Sequence, residues 1–158
     1  MRLTRRGRYL AGVLAAVTFV AIGVLGWRIA TRDPLVRPDD VCAERPPLST
    51  WHGVTLQPVA MRAFRKAVRL SPGPIFVVQS YRSCGQQAQA CRTICGDPTG
   101  CPGRCASPGT SYHQLGAAVD LTQGSLDTPG VIEAMRRAGW CQSQPATDPG
   151  HFSFDGCH

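Results

Sequence analysis

The chain has 158 residues, with 17 Lys and Arg against 10 Asp and Glu and a formal net charge of +7. That length suits one modest domain plus a flanking segment. Five of the basic residues lie in residues 1–31 and no acidic residue does, so the remainder carries 12 basic and 10 acidic groups; so even a balance leaves no basic patch for DNA or RNA, and nucleic acid is excluded as a partner.

Arg2, Arg5, Arg6 and Arg8 precede an uncharged run, 9–27. At 1.5 Å per helical residue the run spans about 28 Å, close to a bilayer's hydrocarbon core. It predicts a transmembrane signal-anchor helix over 9–31, with 1–8 as a cytoplasmic basic tail and everything later periplasmic or extracellular on a single-pass membrane protein. A cleaved signal peptide is the competing reading; the run is longer than a usual signal core and no obvious small-x-small site follows it. Arg5 and Arg6 give only a weak twin-arginine signal.

Residues 32–50, with Pro34, Pro38, Pro46 and Pro47, read as a linker, and 51–158 as an extracytoplasmic domain. All eight cysteines, Cys42, Cys84, Cys91, Cys95, Cys101, Cys105, Cys141 and Cys157, follow the apolar run. An even count outside a membrane reads as a disulfide framework, whose connectivity the sequence leaves open. A structural zinc on Cys91, Cys95, Cys101 and Cys105 is the alternative, with spacings looser than paired Cys-x-x-Cys knuckles. Cys141 and Cys157 flank a C-terminal motif and are expected to pair.

Within the domain, Val59, Ala60, Ala63, Phe64, Ala67 and Val68 recur at three- and four-residue steps while Arg62, Arg65, Lys66 and Arg69 face outward, predicting an amphipathic helix over 57–70. Ser71, Pro72, Gly73 and Pro74 end it. The apolar run 75–78 predicts a buried central strand, 86–92 a short helix, and 96–109, rich in Gly, Pro and Cys, a loop that needs its bridges. Residues 117–121 read as a strand entered through a φ > 0 turn at Gly116. Next come a helix over 128–137 capped by Asp127 or Thr128, with Pro129 in its first turn, and a last strand over 151–154. The sum is a small α+β domain, a mainly antiparallel sheet with helices on one side, stapled by disulfides.

His113 and Asp120 flank the Gly116 turn, which folds two candidate ligands toward one metal ion. A catalytic zinc usually has three protein ligands and an open position, and His151 supplies the third, with Asp148 three positions before it. His52 and His158 have no such context. Ser111, His113, Gly116, Ala118 and Asp120 in order, followed by Asp148, Pro149, His151 and Phe152, resemble the zinc D-alanyl-D-alanine carboxypeptidase family of VanY type (hedgehog/DD-peptidase fold). The segment Gln79, Ser80, Tyr81, Arg82, Ser83, followed by Gln86 and Gln87, resembles that family's strand ending in a Tyr-Arg pair.

The resemblance covers about 56–154. It implies a zinc metallopeptidase hydrolysing peptidoglycan stem peptides, with Zn2+ on His113, Asp120 and His151, Asp148 as general base, Arg82 gripping the oxyanion or the substrate carboxylate, and Ser111 touching substrate. Removal of a terminal D-alanine is the expected reaction, beside a membrane that the N-terminal helix engages. Gln86 and Gln87 are assigned no role beyond facing solvent. The family's base is normally glutamate followed by Pro-Trp-His, whereas this chain has Asp148, Pro149, Gly150 and His151. A base shorter by one methylene, with no aromatic wall beside it, opens an alternative: a non-catalytic peptidoglycan-binding or regulatory pseudoenzyme of the same fold. A third reading is a disulfide-rich interaction module with incidental histidines.

Overall fold

The fold was analysed in a computed structural model, which describes residues 35, 37 and 40–155. The anchor expected at 9–31 and the cysteine at 157 lie outside the described residues. Among the described residues no helix is long and apolar enough to cross a membrane.

In chain order the elements are β1 (Ser49–Trp51), β2 (Val54–Leu56), α1 (Pro58–Leu70), β3 (Val77–Gln79), α2 (Cys84–Cys95), β4 (Ala118–Leu121), α3 (Gln123–Leu126), α4 (Val131–Arg137), β5 (Trp140–Cys141) and β6 (His151–Phe154). β1 and β2 form a hairpin whose two turn residues, His52 and Gly53, have φ of 47° and 79°. Positive φ at both positions is what a tight two-residue turn between twisted strands requires. The other four strands form an antiparallel sheet in the order β3-β4-β6-β5.

Alternation along β4 and β6 divides that sheet into an apolar face and a polar one. Val119, Leu121 and Phe152 join Ala60, Met61, Phe64 and Ala67 of α1, Val131 and Met135 of α4, and Trp140 in one buried cluster. α1 is the amphipathic helix that the periodicity predicts, with Arg62, Arg65, Lys66 and Arg69 exposed. α2 contributes nothing to this cluster and borders the polar face instead. It begins on a capping box between Ser83 and Gln86, so Gln86 closes the helix start rather than merely facing solvent.

Two expectations need correction. The apolar run 75–78 is not a buried central strand: β3 is an edge strand, with Phe76 58% and Val78 68% exposed while Ile75 and Val77 pack on the core. Four consecutive apolar residues concealed an ordinary in-out alternation. The helix expected at 128–137 begins at Val131, after Gly130 in a left-handed conformation, and neither Asp127 nor Thr128 caps it. Asp127 terminates α3, which Thr122 caps at its start, and the Thr128 hydroxyl donates back to Gly124 O at 2.8 Å.

Three disulfides join Cys42–Cys84, Cys91–Cys105 and Cys95–Cys101, and Cys141 is also disulfide-bonded. The Cys91, Cys95, Cys101 and Cys105 set is therefore two bridges and not a zinc knuckle.

Candidate metal centre

Strand register builds the first half of the site. β4 and β6 run antiparallel with Asp120 directly opposite His151, so both side chains leave the sheet on its polar face. His151 Nδ1 lies 3.0 Å from Asp120 Oδ1. His113 comes from the turn before β4, where Gly116 takes the φ of +66° anticipated from sequence. A Cβ on Gly116 would stand 3.0 Å from Gln57 N and 2.6 Å from Leu48 Cδ2, so the turn needs glycine for space as well as for conformation. Gln57 fastens it: its backbone N–H donates to Gly116 O and its side-chain amide to Leu115 O.

His113 is 4% exposed, and its Nδ1 lies 2.7 Å from Ser80 O. A carbonyl only accepts, so Nδ1 carries the proton and, in the neutral ring, Nε2 keeps its lone pair. That lone pair points at Asp120 Oδ1, 3.2 Å away. Two acceptors face each other there, an arrangement that calls for a cation or an extra proton between them. Donor atoms of His113, Asp120 and His151 all lie within 4.8 Å of one another, so the three could hold a metal ion. Two ligands each about 2.05 Å from a tetrahedral zinc stand about 3.3 Å apart. The 3.2 and 3.0 Å separations are close to that edge. Two imidazole nitrogens and one carboxylate oxygen are a donor set that zinc accepts.

Burial alone would raise the Asp120 pKa. With the extra proton between ring and carboxylate, hydrogen bonds and charge from His113 and His151 outweigh it and hold the carboxyl well below the usual range. Arg82 Nη2 lies 3.6 Å from Asp120 Oδ2. Burial lowers the Arg82 pKa, opposed by the charges of Asp120 and then Asp148, and the guanidinium stays charged. Its other arm donates from Nη1 to Gln87 Oε1 at 3.0 Å, and Gln87 Nε2 donates to Ala106 O at 2.8 Å. Gln87 is 2% exposed, a buried clamp between Arg82 and the disulfide-bonded loop, where the sequence reading left it in solvent. One signal pointed inward: Gln87 and the bridged Cys91 are four apart on one helix face.

All of the sequence-predicted site residues line one cleft of about 620 Å³: Arg82, Ser111, His113, Asp120, Asp148 and His151. They differ in burial. Ser111 is buried, and its Oγ accepts from His113 N at 3.3 Å. Asp148 is exposed on the turn leading into β6, where its backbone oxygen accepts from His151 N at 3.2 Å. A Cβ on Gly150 would lie 3.0 Å from Leu121 O, so a larger residue there needs β4 and the turn to shift apart.

No family model and no curated protein matches this sequence. Solved structures do. VanYB in complex with D-alanine-D-alanine aligns with a TM-score of 0.54 at 20% identity over 72% of this chain and 79% of that one. A mutant of the vancomycin resistance D,D-pentapeptidase VanY from a VanB-type cassette, in complex with Zn(II), aligns with a TM-score of 0.54 at 21% identity over 78% and 87%. The chain has the VanY-type fold. The recognition made from three short motifs is therefore matched by the path of the backbone, and the aligned VanY structures include one that holds zinc.

Proposed function

We propose that the domain is a zinc-dependent peptidase acting on peptidoglycan stem peptides, releasing a terminal D-alanine as a D,D-carboxypeptidase does. One observation carries the reading: His113 Nε2 and His151 Nδ1 both stand against Asp120 Oδ1 in a cleft that Arg82, Ser111 and Asp148 also line. The VanY-type fold and a neighbour that binds D-alanine-D-alanine support it.

His113, Asp120 and His151 are the residues that would hold the zinc. Bound there, zinc supplies Lewis acidity toward a carbonyl oxygen and lowers the pKa of a coordinated water to near 7. Ser80 O keeps His113 in the tautomer that presents Nε2. Arg82, clamped by Gln87, directs a planar pair of donors at negative charge, either that growing on the scissile carbonyl or that of a substrate carboxylate. Ser111 Oγ already accepts from His113 N, which leaves its proton for a substrate oxygen. Asp148 takes the proton of the attacking water and passes it to the leaving amine.

One observation favours the pseudoenzyme reading: Asp148 is exposed and Gly150 places no side chain beside it. Zinc content and D-alanine release measured together separate the two. About one zinc per chain, lost in His113→Ala, with D-alanine release that Asp148→Ala abolishes, is expected. Zinc without hydrolysis, unrestored by Asp148→Glu, would leave a wall-binding protein. The domain stands outside the cell membrane on the 9–31 anchor; bridged cysteines suit that oxidising side.

A further inference from the structure

The cleft has a wall that the mechanism above does not use. Residues 91–105 carry two nested disulfides, Cys91–Cys105 around Cys95–Cys101. Cys101 and Cys105 also face each other as an antiparallel bridge, with Cys101 N donating to Cys105 O at 2.9 Å and Cys105 N to Cys101 O at 3.0 Å. Residues 102–104 are therefore a tight turn, both arms of which are covalently tied to α2. Arg104 sits in it, lining the same cleft as the metal triad. Arg104 is exposed, and its Nη2 donates to Ile94 O at 2.9 Å near the end of α2, which leaves most of its five donors unused. Among the described residues no carboxylate forms an ion pair with Arg104.

Size points the same way. A cleft of about 620 Å³ is of the class that encloses a drug-sized ligand, more than two alanines fill. A substrate that extends past the cut end runs along a wall that holds a cation. In a peptide, the group that complements a planar guanidinium is a carboxylate.

We infer that Arg104, held by the nested disulfides, is a specificity residue that reads a carboxylate upstream of the scissile bond, so that the preferred substrates are peptides with an acidic residue in that part. The inference rests on the peptidase reading. Two peptides ending in D-alanyl-D-alanine, one with glutamate upstream and one with glutamine in its place, test it on the zinc-loaded full chain in detergent. The wild type should favour the glutamate peptide by about fivefold in kcat/KM, expressed in KM, as suits one partly exposed charged hydrogen bond. Arg104→Gln should lose the preference through a raised KM for the glutamate peptide, and Arg104→Lys should keep part of it. A Cys95→Ser, Cys101→Ser double variant, which retains the arginine but frees one arm of the turn, should lose part of it; full retention there would overturn the role given to that bridge. A preference undiminished in Arg104→Gln, or none in the wild type, would overturn the inference. Equilibrium binding of the same peptides separates it from the reading beneath it. Charge-selective binding that depends on Arg104 without hydrolysis upholds this inference and sinks the peptidase; hydrolysis of both peptides at equal efficiency does the reverse.

Discussion

Asp120→Asn should weaken metal binding far more than it lowers metal-free stability. The substitution keeps shape but removes the only anionic donor of the three. Structural zinc sites gain about 10–16 kcal/mol from four ligands, or about 2.5–4 kcal/mol per ligand, so zinc should bind on the order of a hundredfold more weakly. At a free zinc level a thousandfold above the wild-type Kd, stabilisation by metal would fall from about 4.1 to about 1.4 kcal/mol. For a domain of this size that is a loss of about 10 °C in the zinc-dependent melting shift. Without metal, the new amide can donate to the His113 Nε2 lone pair that the carboxylate oxygen now faces at 3.2 Å. It forfeits the 3.0 Å contact to His151 Nδ1 and a 3.6 Å contact to Arg82. Metal-free melting should therefore fall by no more than about 5 °C, well short of the loss in the zinc-dependent shift. Competition against a chromophoric zinc chelator, run beside melting curves with and without metal, reads both effects. An unchanged zinc affinity would refute the ligand assignment, and a collapse of the metal-free protein would refute the account of two opposed acceptors.

Other consequences follow from the same contacts. Gln87→Ala removes the clamp on Arg82 and leaves Ala106 O without its donor, which should cost about 2–3 kcal/mol in urea unfolding and lower kcat/KM. Gly116→Ala forces a Cβ against Gln57 N and Leu48 at a φ of +66° and should destabilise by about 1–3 kcal/mol, with reduced zinc content at the same total metal. Asp148→Glu should raise the rate of D-alanine release, by up to about a hundredfold where reach is what limits the aspartate; an unchanged or lower rate would mean that position, not length, sets it. Lowering the pH should release zinc as protons compete for two imidazoles, and metal content by dialysis across a pH series checks the slope.

The grouping of His113, Asp120 and His151 was legible because each part rests on local sequence: a glycine that must turn between His113 and Asp120, and a strand that begins at His151. Their meeting is a matter of register, which spacing suggests and only strand pairing delivers. The amphipathic helix was legible for the same local reason. What stayed hidden depends on partners far away in sequence. Gln87 reads as any polar helix residue until Arg82 and Ala106 close on it. β3 reads as buried on both faces until the sheet leaves the face that carries Phe76 and Val78 uncovered among the described residues. The β1–β2 hairpin escaped notice because its turn begins with histidine rather than the asparagine or aspartate usual at such a position.

The spans of the three bridges between described residues carry a consequence for how the chain matures. Their ends are 6, 14 and 42 residues apart. Closure probability falls roughly as the −3/2 power of loop length, so the ends of the shortest loop meet about twentyfold more often than those of the longest. During oxidation the nested pair can form on α2 and its turn almost at once, before the sheet exists. Of these three, Cys42–Cys84 closes last, and it joins the segment ahead of the first hairpin to a cysteine two residues past Arg82. A cell that oxidises this protein slowly would accumulate a species with the cleft wall already in place and the arginine strand not yet fastened.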